Sequence, residues 1–163
     1  MKKRLLSIVP MKRSHIQACS AITDASDPWK TLNVRIDFQN YIHLKQAYVC
    51  MAGEVTAGFI IFTPEPVFAR GGYLRAIGVS PSLRRRGIGK KLLSFAEKET
   101  ARVSECLYLC VSAFNRKAQA FYHARGYAQA GKLADLIVPG ATEYIYWKRL
   151  RPISLISRRA YRD

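Results

Sequence analysis

The apolar segments of this chain are short and bounded by turn residues, a pattern that predicts β-strands. Strands are expected at residues 5–9, 47–51, 55–62, 74–79, 107–111 and 143–150. Ala52–Gly53–Glu54 predicts a hairpin between the second and third strands, and Pro64 and Pro66 are expected to end the third because proline cannot donate to a ladder. The strand at 107–111 is continuously apolar, which indicates burial on both faces.

Helical spacing predicts two helices in the second half of the chain. The inward face of the longer one is formed by Ile88, Leu92, Phe95 or Ala96, and Val103. The shorter helix is expected over residues 115–125. It ends at Gly126, where a left-handed conformation costs least.

Capping signals predict three helices near the N-terminus. Ser14 and Gln17 fit a capping box for a helix that runs to about Ala21. Asp27 and Pro28 are expected as the N-cap and first residue of the second helix. A third helix begins at Asp37, and its inward-facing residues are Phe38, Tyr41 and Ile42.

Strands and helices without an internal repeat or linker predict one α/β domain over residues 1–150 and a basic tail over residues 151–163. The chain has 163 residues, 49% of them hydrophobic, which suits one domain with a full core. No stretch approaches the roughly 18 apolar residues of a membrane span, and the N-terminal apolar run is too short for a signal peptide. The four cysteines form no CxxC pair and have no histidines at zinc spacing. Reduced thiols, a cytoplasmic location and no metal site are therefore expected.

The chain is strongly basic, with 27 Lys and Arg against 11 Asp and Glu and a formal net charge of +16. A field of this sign attracts anions such as nucleic acid, acidic proteins, an anionic membrane or a phosphate-rich cofactor. Basic residues concentrate at positions 2–13, 84–91 and 148–162. Only the middle cluster lies in a recognisable chemical context.

That cluster lies in VSPSLRRRGIGKKLL, residues 79–93, which runs from a strand through a glycine-containing loop into the amphipathic helix. Glycine lets a ligand approach bare backbone, and the N–H groups and dipole of a helix N-terminus bind a pyrophosphate. Two rival motifs fail on spacing. A P-loop needs Gly and Ser or Thr where this chain has Arg84 and Lys91, and the dinucleotide pattern GxGxxG lacks its third glycine.

A second motif, NRKAQAFYHARGY, occupies residues 115–127. The pair resembles the acetyl-CoA site of the GNAT superfamily of N-acetyltransferases, which shows V-x-P-x-x-R/Q-x-x-G-x-G/A and then N-x-x-A-x-x-F/L-Y-x-x-x-G-F/Y. The matching residues are Val79, Pro81, Arg84, Gly87, Gly89, Asn115, Ala118, Phe121, Tyr122, Gly126 and Tyr127. The resemblance covers roughly residues 47–150 and implies the GNAT fold, a central mixed, mostly antiparallel sheet flanked by helices.

The resemblance also implies direct transfer of an acetyl group from acetyl-CoA to a primary amine of a small molecule or a protein N-terminus. Backbone at the end of one strand would bind the pantetheine arm, and Gly78 would suit the distortion of that strand. The residues implied to bind the cofactor are Ile77, Gly78, Val79, Arg84, Arg85, Arg86, Gly87, Ile88, Gly89, Lys90, Asn115 and Tyr122.

The transfer needs three kinds of group. The acceptor ammonium must lose a proton, and the carbonyl oxygen, as it becomes negative, needs donors such as backbone N–H groups near Val79. The departing thiolate is best protonated as it leaves. The resemblance implies Tyr122 as this general acid, and a purely packing role is the alternative.

The acceptor and the base stay open. The closest familiar subgroup acetylates protein N-termini, including ribosomal-protein alanine acetyltransferases, and shares the pairing seen here at Pro28–Trp29. Those enzymes carry a glutamate base five residues before the motif asparagine, where this chain has Cys110. Apolar neighbours raise a thiol pKa, so Cys110 is not expected to be the base. Glu65, Tyr73, a water relay, or an acceptor amine of low pKa are the alternatives.

The basic ends are either a solvated surface or a docking surface for an acidic protein, a ribosome or RNA. A polyamine or histone-like acceptor is disfavoured, because a charge of +16 repels it unless the cleft is locally acidic. The alternative function is a non-catalytic, basic nucleic-acid- or ribosome-binding module, which explains the charge but not the paired motifs. The chain is expected to be a monomer or homodimer without membrane contact.

Overall fold

A seven-stranded mixed sheet organises residues 5–152, the part of the chain that the computed structural model describes. Its strands are β1 (Leu6–Pro10), β2 (Ala47–Ala52), β3 (Val55–Phe68), β4 (Gly71–Val79), β5 (Cys106–Ser112), β6 (Ala128–Ala134) and β7 (Thr142–Arg149). Their order across the sheet is β1-β2-β3-β4-β5-β7-β6. Only the pair β4–β5 is parallel among these strands. The expected α/β class with a mixed, mostly antiparallel sheet is confirmed.

Five α-helices flank this sheet within the described residues. They are α1 (Ile16–Asp24), α2 (Trp29–Leu32), α3 (Phe38–His43), α4 (Ile88–Val103) and α5 (Arg116–His123). Short 3₁₀ turns precede α1 at Arg13–His15 and follow β4 at Pro81–Leu83. Among these residues, no helix combines the length and the apolar character that crossing a bilayer requires.

Two apolar clusters fill the two sides of the sheet, and β3 shows how they are divided. Ile60 and Phe62 belong to the cluster under α4, whereas Phe59 and Ile61 belong to the cluster under α1 and α3. The division arises because successive side chains of a strand point to opposite faces. Each such fully buried side chain contributes roughly 1.5–3 kcal/mol of transfer free energy.

Local signals predicted most helices correctly. The α4 stripe is buried at Ile88, Leu92 and Ala96, although Val103 is 50% exposed, so its predicted inward position is wrong. The Asp37 carboxylate caps α3 by accepting a hydrogen bond from the Asn40 N–H at 3.1 Å. These are short-range relations that a helix of 3.6 residues per turn imposes.

The two predicted starts before Asp37 are wrong. Ser14 lies inside the 3₁₀ turn, and His15 Nδ1 accepts a hydrogen bond from the Lys12 N–H at 3.0 Å. Helical structure therefore begins before the proposed capping box. The helix that follows also runs three residues past Ala21, to Asp24. Pro28 is the N-cap of α2, and the Asp27 carboxylate accepts instead from the Thr31 hydroxyl at 2.5 Å.

Two strands also differ from expectation. Strand β3 continues past Pro64 and Pro66 to Phe68, because its ladder with β4 shifts register between Thr63 and Phe68 and the prolines need not donate there. Strand β6 was not predicted. It lies at the sheet edge with almost every residue exposed, so it carries no alternating apolar pattern.

The parallel pair β4–β5 opens partway along its length. Pairing runs from Gly71–Cys106 to Leu74–Leu109 and stops there. Arg75 is a bulge on β4, because Phe62 pairs with Leu74 whereas Ile61 pairs with Ala76. A bulge bends its strand and increases the local twist. Residues 75–79 therefore leave β5 and expose the inner edge of the sheet.

Gly78 was expected to accommodate the distortion of β4, but the structure gives it a different role. A Cβ at Gly78 would lie 2.5 Å from the Phe59 ring and 3.0 Å from Ile22, so the glycine is required by core packing. The irregularity of the strand lies three residues earlier, at Arg75.

Candidate active site

A cavity of about 510 Å³ lies where β4 and β5 part. Its walls come from α2, the segment 34–37, α3, β4, β5, α5, the β6–β7 connection and β7. The sequence-predicted residues Ile77, Asn115 and Tyr122 line it. Strands and helices remote in sequence therefore meet at one ligand-sized space.

The N-terminus of α4 presents bare backbone beside the end of β4, where a Cβ at Gly89 would lie 3.7 Å from the Val79 side chain. Gly87 is the N-cap, in the left-handed region at φ +79°, and has no side chain to satisfy the first turn. The Lys91 N–H bonds to the Gly87 carbonyl at 2.9 Å, whereas the three preceding N–H groups have no intrahelical acceptor. A Cβ at Gly89 would lie 3.3 Å from the Phe121 ring. Free donors at the start of a 16-residue helix fit a pyrophosphate.

The basic side chains of this loop divide into two groups. Arg85, Arg86 and Lys90 are exposed and supply countercharge around the helix N-terminus. Arg84 donates from Nη2 to the Ser26 hydroxyl at 2.7 Å and from Nε to the Val79 carbonyl at 3.3 Å. Its guanidinium therefore ties the loop to the end of β4 and to the α1–α2 connection.

The open edge of β4 offers backbone groups to a ligand. Ile77, Gly78 and Val79 pair with β3 on one side, and β5 has already diverged on the other. In an antiparallel ladder, alternate residues direct their N–H and C=O groups away from the partner. Those groups face the gap and fit an amide-containing chain such as a pantetheine arm.

Tyr122 forms part of the cavity wall with a fixed ring. It is 6% exposed and packs edge-on against Phe121 and Tyr127, at centroid distances of 5.2 and 5.5 Å. Its hydroxyl forms no hydrogen bond with the residues that the structure describes. Burial raises the pKa of Tyr122, so the phenol keeps its proton at physiological pH. Asn115 caps α5 by accepting from the Ala118 N–H at 3.2 Å.

Across the cavity, three titratable groups converge from three strands: Tyr73 from β4, Cys110 from β5 and Glu143 from β7. Burial raises the pKa of the Cys110 thiol, and a hydrogen bond from Tyr73 partly offsets this effect. Burial is also the main reason why the pKa of Tyr73 is raised. Both groups therefore remain protonated at neutral pH.

Glu143 is the buried carboxylate of this group, with 4% exposure. It accepts a hydrogen bond from the Ser112 hydroxyl at 2.5 Å. Burial raises the pKa of Glu143, and the bond from Ser112 partly offsets the rise. A carboxylate with a raised pKa is a stronger base than an exposed one.

Sequence reasoning did not identify Glu143. The carboxylate enters the site because β5 and β7 pair with Ser112 opposite Glu143, a register that no local pattern encodes. Glu65, which the sequence left open as a base, is exposed on the β3 extension and lies outside the cavity.

Comparisons with known proteins agree with this geometry. The model of the Acetyltransferase (GNAT) family matches residues 15–127. No match was found among curated proteins. Ard1 from Thermoplasma volcanium is a structural match at 16% identity and TM-score 0.77, covering 90% of this chain and 99% of that one.

Two further structures have the same fold. The ribosomal-protein-S18-alanine N-acetyltransferase from Escherichia coli matches at 18% identity and TM-score 0.73, over 93% of this chain and 97% of that one. Naa50 from Arabidopsis thaliana, in complex with the bisubstrate analogue CoA-Ac-MVNAL, matches at 18% identity and TM-score 0.70, over 88% and 97%. At these identities the likeness establishes the fold.

Substitution of Gly89 tests the loop. We expect acetyl-CoA to raise the melting temperature of the wild type and Gly89→Asp to abolish the shift, because the carboxylate would meet the pyrophosphate. Gly89→Ala is the matched control: its Cβ needs the Phe121 ring to yield by only a few tenths of an ångström, so most of the shift should remain. Differential scanning fluorimetry measures both, and an equal shift in all three proteins would contradict the assignment.

Proposed function

This chain belongs to the Acetyltransferase (GNAT) family, and we propose that it moves the acetyl group of acetyl-CoA directly to a primary amine of a small molecule or a protein N-terminus. The single observation that carries the proposal is the cavity, which opens beside β4, the strand that leads to the α4 loop, and brings Tyr122 together with a buried carboxylate, Glu143. The four cysteines are free thiols, which supports a cytoplasmic location.

Acetyl-CoA supplies a thioester whose carbonyl carbon is open to attack by a neutral amine. The first turn of α4 holds the pyrophosphate, with Arg85, Arg86 and Lys90 as countercharges. The open edge of β4 binds the pantetheine arm through its backbone. Its free N–H groups near Val79 also stabilise the negative charge that develops on the acetyl oxygen.

Glu143 is the proposed general base. It receives the ammonium proton, directly or through a water molecule held near Tyr73 and Cys110, and so frees the nitrogen lone pair for attack. Ser112 keeps the carboxylate oriented through its hydrogen bond. The base that the N-terminal acetyltransferases carry at the Cys110 position is thereby replaced by a carboxylate from β7.

Tyr122 is the proposed acid for the departing thiolate. As the carbon–sulfur bond breaks, the phenol donates a hydrogen bond and then its proton to the sulfur. Its raised pKa keeps this donor protonated over the working range, but makes complete transfer to a thiolate less favourable than from an ordinary phenol. Hydrogen-bond stabilisation is therefore the larger part of its contribution.

The alternative, a non-catalytic nucleic-acid- or ribosome-binding module, accounts for the net charge of +16. It gives no role to a buried glutamate beside an open cavity. No arrangement of the described residues favours it, so the transferase is the function we propose.

Glu143→Gln tests the base. The amide still accepts from Ser112 but cannot take a proton, so kcat/KM should fall by roughly 10²–10⁴. The wild-type rate should rise with pH through the raised pKa of Glu143, and this limb should vanish in the variant. A pH–rate profile with one amine acceptor measures both, and a variant with near-normal kcat/KM would exclude Glu143 as the base.

Stability provides the control for that variant. Because the pKa of Glu143 is raised in the folded state, the stability that Glu143 contributes is present at low pH and lost as pH rises through that pKa. Glu143→Gln should therefore be at least as stable as the wild type at neutral pH. A melting temperature of the variant below that of the wild type at neutral pH would indicate that the loss of rate arises from misfolding.

Tyr122→Phe tests the acid. The phenyl ring keeps the contacts with Phe121 and Tyr127, so the fold and the affinity for acetyl-CoA should change little. Loss of the hydroxyl should lower kcat by roughly 10²–10⁴. Single-turnover rates isolate the chemical step. A normal rate of that step in the variant would show that Tyr122 only packs and is not the acid.

Cys110→Ala distinguishes the thiol from the carboxylate. The thiol pKa is raised by burial, so Cys110 does not take the ammonium proton, and the variant should retain most of its activity. Its pH–rate profile should match that of the wild type with the same acceptor. A folded variant that binds acetyl-CoA but loses more than about 10²-fold in rate would identify Cys110 as a participant.

A further inference from the structure

A second charged feature of the cavity is Arg75, which none of the proposed chemical steps uses. It is the bulged residue of β4, and its side chain is exposed and lines the cavity. The guanidinium carbon lies 5.4 Å from the centroid of the Tyr73 ring and 5.7 Å from that of Tyr41. Cation–π contacts with two rings from different elements hold the side chain at the wall.

Arg75 forms no ion pair within residues 5–152, where Arg70, Arg102, Lys148 and Arg149 do. Each carboxylate that lines the same cavity accepts a hydrogen bond from a donor other than Arg75. Asp27 accepts from Thr31, Asp37 from the Asn40 N–H and Glu143 from Ser112. The fork of guanidinium N–H groups is therefore left for a ligand.

The position of Arg75 relates it to the reacting end of the cavity. Tyr73 and Arg75 lie two positions apart on β4, with the Arg75 guanidinium carbon 5.4 Å from the centroid of the Tyr73 ring. Tyr73 in turn interacts with Cys110 and Glu143. An amine beside those groups and an anion on Arg75 are separated by the dimensions of an amino acid or a short peptide. Arg35 lines the same cavity and adds a second cation.

We propose that the acceptor is an amine that also carries a carboxylate, and that Arg75 binds this carboxylate while the amine lies beside Tyr73 and Glu143. The inference rests on the proposed acetyl transfer. Arginine suits the task because its planar fork matches a carboxylate in two parallel hydrogen bonds. The net charge of +16 attracts such an acceptor over a longer range.

Matched acceptors test the proposal and separate two sources of the carboxylate. In one arm, each free amino acid is compared with its amide. In the other arm, tripeptide amides that carry Asp or Glu at the second position are compared with the same peptides carrying Asn or Gln there. In at least one arm the carboxylate form should have kcat/KM higher by about 10-fold to 100-fold, the usual value of a hydrogen bond to a charged group. Arg75→Gln should bring the ratio within that pair close to one.

Two further variants sharpen the result. Arg75→Lys keeps the charge without the fork, so it should retain part of the preference. Arg102→Gln removes the same charge from an exposed pair with Glu99 near the C-terminal end of α4, and should leave the ratio unchanged. Stabilisation by acetyl-CoA verifies that each variant folds.

The remaining outcomes separate this proposal from the function on which it rests. Equal rates for both members of every pair would overturn the carboxylate site and leave acetyl transfer intact. If no amine is acetylated, the transfer proposal fails for these acceptors. Binding to Arg75 is then tested separately, by measuring the melting temperature of the CoA-loaded protein with the N-acetyl forms of the carboxylate compounds. A rise in melting temperature that Arg75→Gln removes would support the site, and its absence would overturn it.

Discussion

The parting of β4 from β5 is the constraint on which the rest of the site depends. The two strands pair only as far as Leu74 and Leu109, and the bulge at Arg75 turns β4 away. A continued ladder would satisfy the backbone of residues 75–79 and fill the cavity. Because the ladder stops, backbone groups of residues 75–79 are free on one side and a cavity opens between the two strands. Strand β4 then leads from this opening to the loop before α4.

Burial changes the pKa values of Tyr122, Cys110 and Glu143 in the same direction, but the consequence differs between these groups. Removing water disfavours the charged form, so the pKa of each acid rises. For Tyr122 and Cys110 the rise keeps a proton in place, which favours donors. For Glu143 the rise makes the ionised carboxylate a stronger proton acceptor. The cavity therefore brings protonated donors, Tyr122 and Cys110, together with a carboxylate of raised pKa, Glu143.

Sequence alone determined the features that depend on near neighbours. Helix α4, the Asp37 cap and the hairpin at residues 52–54 follow from spacing within a few positions, because helical periodicity and turn geometry are local. The loop that we propose for the pyrophosphate could be predicted for the same reason, because its glycines, its arginines and the start of its helix are contiguous in sequence. The family motif at residues 115–127 is likewise one segment, so its resemblance was sufficient to identify Tyr122 and Asn115 as candidate site residues.

Only the tertiary structure decided the features that depend on strand register. Glu143 becomes part of the site because β7 pairs with β5, thirty-one residues from its partner Ser112. Arg75 faces the cavity because a bulge interrupts β4, and Arg84 turns to Ser26, fifty-eight residues away. An exposed edge strand such as β6 leaves no alternating pattern to detect. Register and edge position are set by the packing of remote segments, and a single sequence contains no local signal for that packing.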